Sequence, residues 1–445
     1  MFQQTGRGEA RISRDATHRR KLRTIVMWDL PSWGLISGAA LMGAAGVRTA
    51  LDVEMLRRRS RRDLARARQR QGEFTAQLAS ASQWARASQP ALKAWAGLRA
   101  LRVSAVVDEA RDCRSYYLVP EDGRPLPRFE PGQYLTFHLP SGDPARPWVR
   151  CYSLSDRPRE DYYRVTVKRA GPPPGRPSLP AGRASSYFHR EVGPGALLQA
   201  EAPQGSFFLD PTDAGPVALL GAGVGVTPIM SMAAALVHQR DARPVYVFLG
   251  FRNGREHPFR ARLAALRDAG SSFRVHVSYS QPTADDRRAG AFDRQGRIDV
   301  DQLRAVLPSN NFRFYVCGPA GLMQSLVPEL LAWRVPAEHI RYEAFGPASV
   351  RGLGPAEATV MASDVHFARS GRQARWTPEA VSLLELAEQQ GIPLESGCRA
   401  GSCGQCRVMI SAGRVAHAKT PGIPLVDGEC LACIARPQGD IVVEA

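Results

Sequence analysis

The chain has 445 residues, room for about three domains of ordinary size. With 44% hydrophobic and 23% charged residues it matches globular usage, which excludes wholesale disorder. Uncharged stretches long enough to cross a bilayer are too few for a multi-pass membrane protein. A formal charge of +17 would ordinarily point to nucleic acid or a membrane surface. Yet residues 1–102 hold 20 Lys and Arg against 7 Asp and Glu, while the remainder holds 39 against 35. The basic signal therefore belongs to an N-terminal appendage. Only four of the 59 basic residues are Lys, so a composition biased toward Arg accounts for part of it.

Taken in order, residues 1–29 are polar and basic and are expected to form a disordered tail. Leu30 to Val47 is an uncharged stretch of eighteen residues, only just enough at ~1.5 Å per residue to cross a hydrocarbon core. It is poor in Leu, Ile and Phe, carries Pro31, Gly34, Gly38, Gly43 and Gly46, and is flanked by positive charge on both sides. The positive-inside rule thus assigns no orientation. A span, an interfacial segment and an Ala/Gly-rich helix all stand open. Residues 49–89 favour helix; the run Arg57 to Arg62 precedes apolar Phe74, Leu78, Ala81 and Ala85, a narrow stripe that suits a stalk or a solvated basic helix. Residues 30–98 are thus read as a candidate membrane segment and basic helical stalk, with residues 25–70 the candidate contact to a membrane surface. No aromatics interleave with the basic run, so no nucleic-acid partner is expected.

From Leu101 the pattern changes to short alternating strands: Leu101 to Val107, Tyr116 to Val119, Gln133 to Leu139 and Tyr163 to Lys168. They predict an antiparallel β-barrel over residues 99–210. After Pro211 apolar runs (Val217 to Leu220, Val245 to Leu249, Val275 to Val277, Phe314 to Val316) mostly alternate with helix-like stretches, which predicts a parallel α/β domain over 211–348. Residues 349–357 read as a Gly/Pro-rich linker. The last segment, 358–445, has strands, a short helix around Val381 to Gln389 ended by Gly391, and a cysteine cluster.

Five of the eight cysteines lie in the last 48 residues, which points to a metal site and a reducing compartment rather than to disulfides. Cys398, Cys403 and Cys406 have the C-x4-C-x2-C spacing of plant-type [2Fe–2S] sites, with Cys430 and Cys433 downstream. Two sulfide-bridged irons each need two further soft ligands, and the interspersed glycines let the loop fold around the cluster. Zinc is the competing reading, but zinc ribbons favour paired C-x2-C knuckles. The spacing leaves the fourth ligand open between Cys430 and Cys433.

Two further motifs precede the cysteines. Arg150-Cys-Tyr152-Ser153-Leu154 closes a barrel strand: Arg can pair with a phosphate, Tyr can lie along an isoalloxazine, and Ser can reach its N5. Downstream, Ser185 and Ser186 stand where a turn leads into a helix, a place that favours pyrophosphate. Val217 to Pro228 is a strand followed by Gly221, Gly223, Gly225, Thr227 and Pro228. Val226 occupies the third glycine position of G-x-G-x-x-G, yet the glycines still let a phosphate approach a helix start. Cys317-Gly318-Pro319 ends a later strand, where ligands of open α/β sheets bind. Alternatives for these residues are a core aromatic for Tyr152 and inert buried thiols for Cys113 and Cys151. His138, His189, His257 and His276 are read as structural or surface residues.

Together these residues resemble the ferredoxin–NADP reductase superfamily with a plant-type ferredoxin at the C-terminal end, in the domain order of phthalate dioxygenase reductases. Arg252-Asn253, His257 to Arg260 and Tyr342 to Pro347 look closer to the reductase half of flavohaemoglobins. The resemblance covers about residues 99–445. It implies a flavin site of Arg150, Tyr152, Ser153 and Leu154 with Lys168, and Ser185 and Ser186 near the pyrophosphate. Gly221, Gly223, Gly225, Thr227, Pro228, Arg252, Asn253, Gly318 and Pro319 would hold the nicotinamide dinucleotide. Ser153, Cys317, Glu343 and Phe345 would serve the flavin–nicotinamide contact. The stretch Leu431 to Pro437 resembles the ferredoxin segment whose last ligand lies shortly before Pro, which favours Cys433 over Cys430.

The proline-rich insertion Gly171 to Pro180 departs from the family loop. FAD is favoured over FMN, and NADH over NADPH because Gln281 follows Tyr279-Ser280, although Arg287 and Arg288 are close in sequence. The implied activity is transfer of reducing equivalents from NAD(P)H through FAD to a [2Fe–2S] cluster and on to an acceptor protein: an oxygenase, hydroxylase or cytochrome. The alternative is a terminal reductase of quinone, ferric iron or oxygen. The catalytic domains are expected in the cytoplasm, with the N-terminal segment a candidate membrane attachment, and a cleaved signal peptide is disfavoured.

Overall fold

Six antiparallel strands form the first sheet: β1 (Arg99–Ala110), β2 (Cys113–Pro120), β3 (Tyr134–Leu139), β4 (Trp148–Ser153), β5 (Tyr163–Lys168) and β6 (Leu197–Ala200), in the order β4-β3-β6-β1-β2-β5. This is a computed structural model, and it describes residues 95–143, 147–172, 178, 180–267, 272–345, 362–377 and 380–445. The basic tail, the uncharged stretch 30–47, the helix expected over 49–89 and the linker 349–357 lie outside these residues. Along β1, Leu101 and Val103 are buried while Arg102 and Ser104 are exposed, the alternation of a half-buried strand. Leu154 bridges Val165, and the Ser155 N–H donates to the Arg164 carbonyl at 2.8 Å; these contacts bring the two edge strands together as a barrel. Helix α1 (Arg183–Glu191) adds Phe188 to a core with Phe137, Tyr116 and Val165.

The second sheet is all parallel: β7 (Val217–Ala222), β8 (Val245–Phe251), β9 (Phe273–Tyr279), β10 (Arg294–Gln295), β11 (Arg313–Gly318) and β12 (Ile340–Ala344), in the order β10-β9-β8-β7-β11-β12. Helices α2 (Val226–His238), α3 (Arg260–Arg267), α4 (Ala284–Arg288), α5 (Val300–Val306) and α6 (Ala320–Ala332) connect its strands. Alternate residues of β7 enter two separate cores: Val217 and Leu219 pack with α2, Ala218 and Leu220 with α5 and α6. Every residue of β8 is buried, as expected of a strand covered on both faces. Strand order reverses between β7 and β11, and that switch point opens a crevice at their carboxyl ends. Helix α2 begins at Val226, three residues before the apolar run suggests, because Pro228 is compatible with a first helical turn.

The third region contains β13 (Ser363–Phe367), β14 (Arg372–Trp376), α7 (Leu383–Gln389), β15 (Arg407–Ala412), β16 (Val415–His417), β17 (Glu429–Leu431), β18 (Ala435–Pro437) and β19 (Ile441–Val443). Its five-stranded sheet runs β14-β13-β19-β15-β17, with β13 and β19 parallel at its centre, and β16 pairs with β18. With α7 packed by Leu383, Leu384 and Leu386 against Phe367 and Trp376, this is a β-grasp fold, the architecture that the plant-type ferredoxin resemblance implies. Ser382 caps α7 by accepting the Glu385 N–H at 3.3 Å, which sets its start two residues later than expected. Gly391, at φ +66°, follows its end. All three sheets belong to one compact unit, Pro90–Ala445.

Candidate functional site

At the switch point, β7 ends in Gly221-Ala222, and Gly223–Gly225 makes a tight turn into α2. A Cβ on Gly225 would overlap the Cys317 carbonyl and Gly318 at the end of β11, so only glycine lets these backbones approach. The Thr227 hydroxyl donates to the Val224 carbonyl at 2.9 Å and fixes the turn. Pro228 lies in the first turn of α2, and Pro319 precedes α6 as its cap residue. Gly221, Gly223, Gly225, Thr227, Pro228, Cys317, Gly318 and Pro319 are thus gathered around one crevice.

Cys317 is fully buried, which pushes its thiol up, and it pairs in register with Glu343 on β12. Glu343 is 5% exposed, and its Oε2 has no hydrogen-bond partner. Burial raises its carboxyl to about 8; Lys419 opposes the shift and Cys398 adds to it. Phe345 packs on the apolar core beside this crevice. Arg252 is paired: its guanidinium lies 3.4 Å from Glu256, whose other oxygen accepts from Lys168 at 3.1 Å. The Asn253 side chain accepts the Arg255 N–H at 3.1 Å.

On the barrel, Tyr152 meets Phe188 edge-on at 4.9 Å, Leu154 is in the core, and Ser153 Oγ is buried without a partner. That orphan hydroxyl, on the strand that also carries Arg150 and Tyr152, fits a flavin. Ser185 is already engaged: its Oγ accepts the Ala170 N–H at 3.0 Å and donates to the Gly182 carbonyl at 3.1 Å. The Ser186 N–H donates to the same carbonyl at 2.9 Å. Both serines shape the turn into α1. The Arg150 guanidinium reaches the Ser396 carbonyl of the cysteine loop at 3.4 Å, and burial, reinforced by Arg399, moves its pKa down.

In that loop, Cys398 is in contact with Cys403 and Cys433, and Cys406 with Cys433. The backbone N–H groups of Ala400, Ser402 and Cys403 point at Cys398 Sγ from 3.2–3.4 Å, and the Gly401 N–H at Cys433 Sγ from 3.2 Å. Hydrogen bonds from the Cys403 and Cys433 thiols, with these amides, hold Cys398 well below the usual thiol range. Gly401, at φ +72°, packs on Ile434, where a side chain would clash. Cys430 is buried on β17, and burial, with Cys406 adding to it, pushes its thiol up to about 12. Among the described residues no three or more His, Cys, Asp or Glu side chains converge to hold one metal ion. The four thiols stand in a row, 403 to 398 to 433 to 406. That donor set fits a cluster of two irons, each taking two thiolates.

Residues 219–327 match the model of the oxidoreductase NAD-binding domain, and residues 365–438 match that of the 2Fe-2S iron-sulfur cluster binding domain. The chain thus carries an NAD-binding oxidoreductase domain followed by a 2Fe-2S cluster binding domain. A flavohemoprotein of Chromobacterium violaceum is 37% identical over 252 residues, 57% of this chain and 61% of that protein. A flavohemoprotein of Bacillus cereus is 35% identical over 255 residues, 57% of this chain and 62% of the other. The alignments thus span about three fifths of those relatives. Phthalate dioxygenase reductase has the same fold over 78% of this chain and 98% of its own, at 23% identity and TM-score 0.51. An intact type IV self-sufficient cytochrome P450 monooxygenase matches over 78% of this chain and 41% of its own, at 23% identity and TM-score 0.51.

Sequence reasoning missed several residues at the junction of the domains. Tyr134 is deeply buried, with Cys151, Cys398, Cys403 and Glu343 around it. Lys419 places its Nζ 3.4 Å from Ser402 Oγ and is drawn toward Cys398 and Glu343. No local pattern marks either. Gln405, inside the cysteine motif, donates to Glu201 of the barrel at 3.0 Å; a long amide between Gly404 and Cys406 was the available signal. Among the described residues no helix is long and apolar enough to cross a membrane, and residues 25–70 lie outside them.

Proposed function

We propose that the chain takes reducing equivalents from NAD(P)H, NADH by preference, and delivers single electrons from its ferredoxin domain to an acceptor protein such as an oxygenase, hydroxylase or cytochrome. When bound, FAD supplies two-electron hydride acceptance and the cluster supplies one-electron transfer. The chain's own residues hold these groups and keep water from them. The crevice of Gly221 to Pro228 and Cys317 to Pro319 would seat the dinucleotide, with backbone N–H groups of the turn facing its phosphates. Arg150, Tyr152 and Ser153 would orient the flavin, the Ser153 Oγ–H being free to donate. Burial favours the neutral form of the Glu343 carboxyl, which would place a proton beside Cys317 at this crevice. Cys398, Cys403, Cys406 and Cys433 would hold the cluster.

The observation that carries this reading is the contact between β4 and the cysteine loop. Arg150 reaches the Ser396 carbonyl, and Cys151 touches Cys403, within the same strand that ends in Ser153. Transfer between flavin and cluster therefore needs no separate docking event.

An acceptor would meet the ferredoxin domain. Residues 358–445 hold 8 basic and 9 acidic side chains, and a cluster's own negative charge makes that surface attractive to a basic patch. Residues 25–70 would bring the cytoplasmic catalytic domains to a membrane surface. An anaerobic NADH titration tests the internal chain: flavin bleaching together with loss of the ferredoxin-like absorption is expected. Bleaching without any cluster signal would overturn the reading. Turnover with quinone or ferric iron that no protein acceptor improves would favour a terminal reductase instead.

A further inference from the structure

Among the barrel residues that reach the cluster site is a cysteine that is not one of the four candidate ligands. Cys151, on β4 between Arg150 and Tyr152, places its sulfur against Cys403 in the space left open by Gly397. Behind it stands a row of polar groups. The Gln204 amide Nε2 donates to Thr136 Oγ1 at 2.8 Å, and Thr136 Oγ1 lies 3.5 Å from Cys151 Sγ. Because Thr136 Oγ accepts from Gln204, its own proton is free to turn toward Cys151. A ligating Cys403 is a thiolate and has only lone pairs to offer. The proton on the contact between the two sulfurs therefore belongs to Cys151. The donors run in one direction: Gln204 amide, Thr136 hydroxyl, Cys151 thiol, Cys403 sulfur. Gln204 is fixed in turn by Glu201 at 3.2 Å, which also accepts from Gln405 of the cluster loop at 3.0 Å.

The four candidate ligands differ in what their own loop gives them. Cys398 Sγ receives three backbone N–H groups, whereas Cys403 Sγ receives that of Cys398 alone, at 3.2 Å. Hydrogen bonds to cluster sulfurs stabilise the more negative, reduced state and so raise its potential. We infer that Cys151 is a positioning residue of the flavin barrel that donates its S–H to Cys403, raising the cluster's potential when the domains are packed together and favouring electron flow from flavin to cluster. This rests on the proposed electron path, and it adds a part that the ferredoxin fold does not contain by itself.

The test is redox potentiometry of the full holoenzyme, following the cluster by electron paramagnetic resonance and the flavin by absorption. Cys151→Ala is expected to lower the cluster's midpoint, moving the flavin-to-cluster electron partition toward flavin by up to about tenfold, equal to 59 mV for a one-electron couple. Cys151→Ser keeps a donor and is expected to recover at least half of the shift. Thr136→Val keeps the thiol, removes the hydroxyl that polarises it, and is expected to lower the midpoint by a smaller amount. Equal midpoints in the wild-type chain and Cys151→Ala would overturn the inference while leaving the electron path intact. So would a loss in Cys151→Ser as large as in Cys151→Ala. A wild-type chain with no cluster resonance would overturn both.

Discussion

The nicotinamide turn and the cysteine loop are both glycine-rich, but they are completed by different forces. Around Gly225 the backbone packs on backbone, and α2 buries nearly its whole length against the sheet. Burying such apolar side chains contributes roughly 1.5–3 kcal/mol each, so this turn is shaped before any dinucleotide arrives. The loop from Ser396 to Cys406 instead directs its N–H groups at sulfur atoms. Its closure relies on thiolates held by a bound group. One site is preformed by packing and the other is finished by its ligand, so they should fail in different ways.

Removing a thiolate breaks the comparison most completely. Cys398→Ser or Cys433→Ser is expected to abolish the cluster's absorption and resonance while flavin bleaching by NADH survives. Cys430→Ser is expected to keep both, and loss of the cluster in that variant would reassign the fourth ligand. On the packed side, Gly225→Val forces the turn away from the Cys317 carbonyl. A shift of an ångström at such a site costs about a hundredfold in rate. Stopped-flow bleaching of the flavin is expected to slow by that order, with the cluster spectrum unchanged.

How much of this could be read from the sequence follows the same division. Where a motif is local, residues and spacing brought out the cysteines 398, 403 and 406 and the turn from Gly221 to Pro228, whereas the choice of Cys433 over Cys430 came from a resemblance and not from spacing. The barrel and the parallel sheet also follow from strand periodicity, because alternation and continuous apolar runs report directly which faces are covered, whereas the sheet of the last segment came only with the resemblance. What escaped was non-local. Tyr134, Gln405 and Lys419 matter because separate sheets meet, and no spacing along the chain encodes that meeting. Ser185 and Arg252 show the converse. Both residue types suit phosphate, yet one side chain closes a turn and the other pairs with Glu256.

A smaller effect distinguishes the regions by pH. His257 is buried in the nucleotide-binding domain, stacked on Phe251 at 4.3 Å and 2.7 Å from the Tyr279 hydroxyl. Burial, with Arg260 close by, lowers its pKa from 6.5 to about 3. The folded protein keeps this imidazole neutral where the unfolded chain takes up a proton. Stability is therefore full above pH 6.5 and is lost as pH falls toward 3, by up to ~1.4 kcal/mol per pH unit for one proton. His257→Gln is expected to flatten that part of the stability profile in urea titrations. An unchanged slope would assign the acid sensitivity to other groups.

The smallest expected effect concerns the seam between the two kinds of site. Gln405 Nε2 donates to Glu201 Oε1 at 3.0 Å, and the same carboxylate meets His138 at 2.9 Å and Gln204 at 3.2 Å. Gln405→Ala leaves Glu201 with two partners, so no buried charge is stranded and the cost is about 1 kcal/mol. That corresponds to roughly a fivefold change in an opening equilibrium. Hydrogen exchange of the amides in residues 396–406 should quicken by that factor, while exchange in β7 and β8 stays unchanged. If the loop depends on its thiolates alone, its exchange will not respond. A response confined to the loop would show that the barrel helps to close a site which the ferredoxin domain's own packing does not complete.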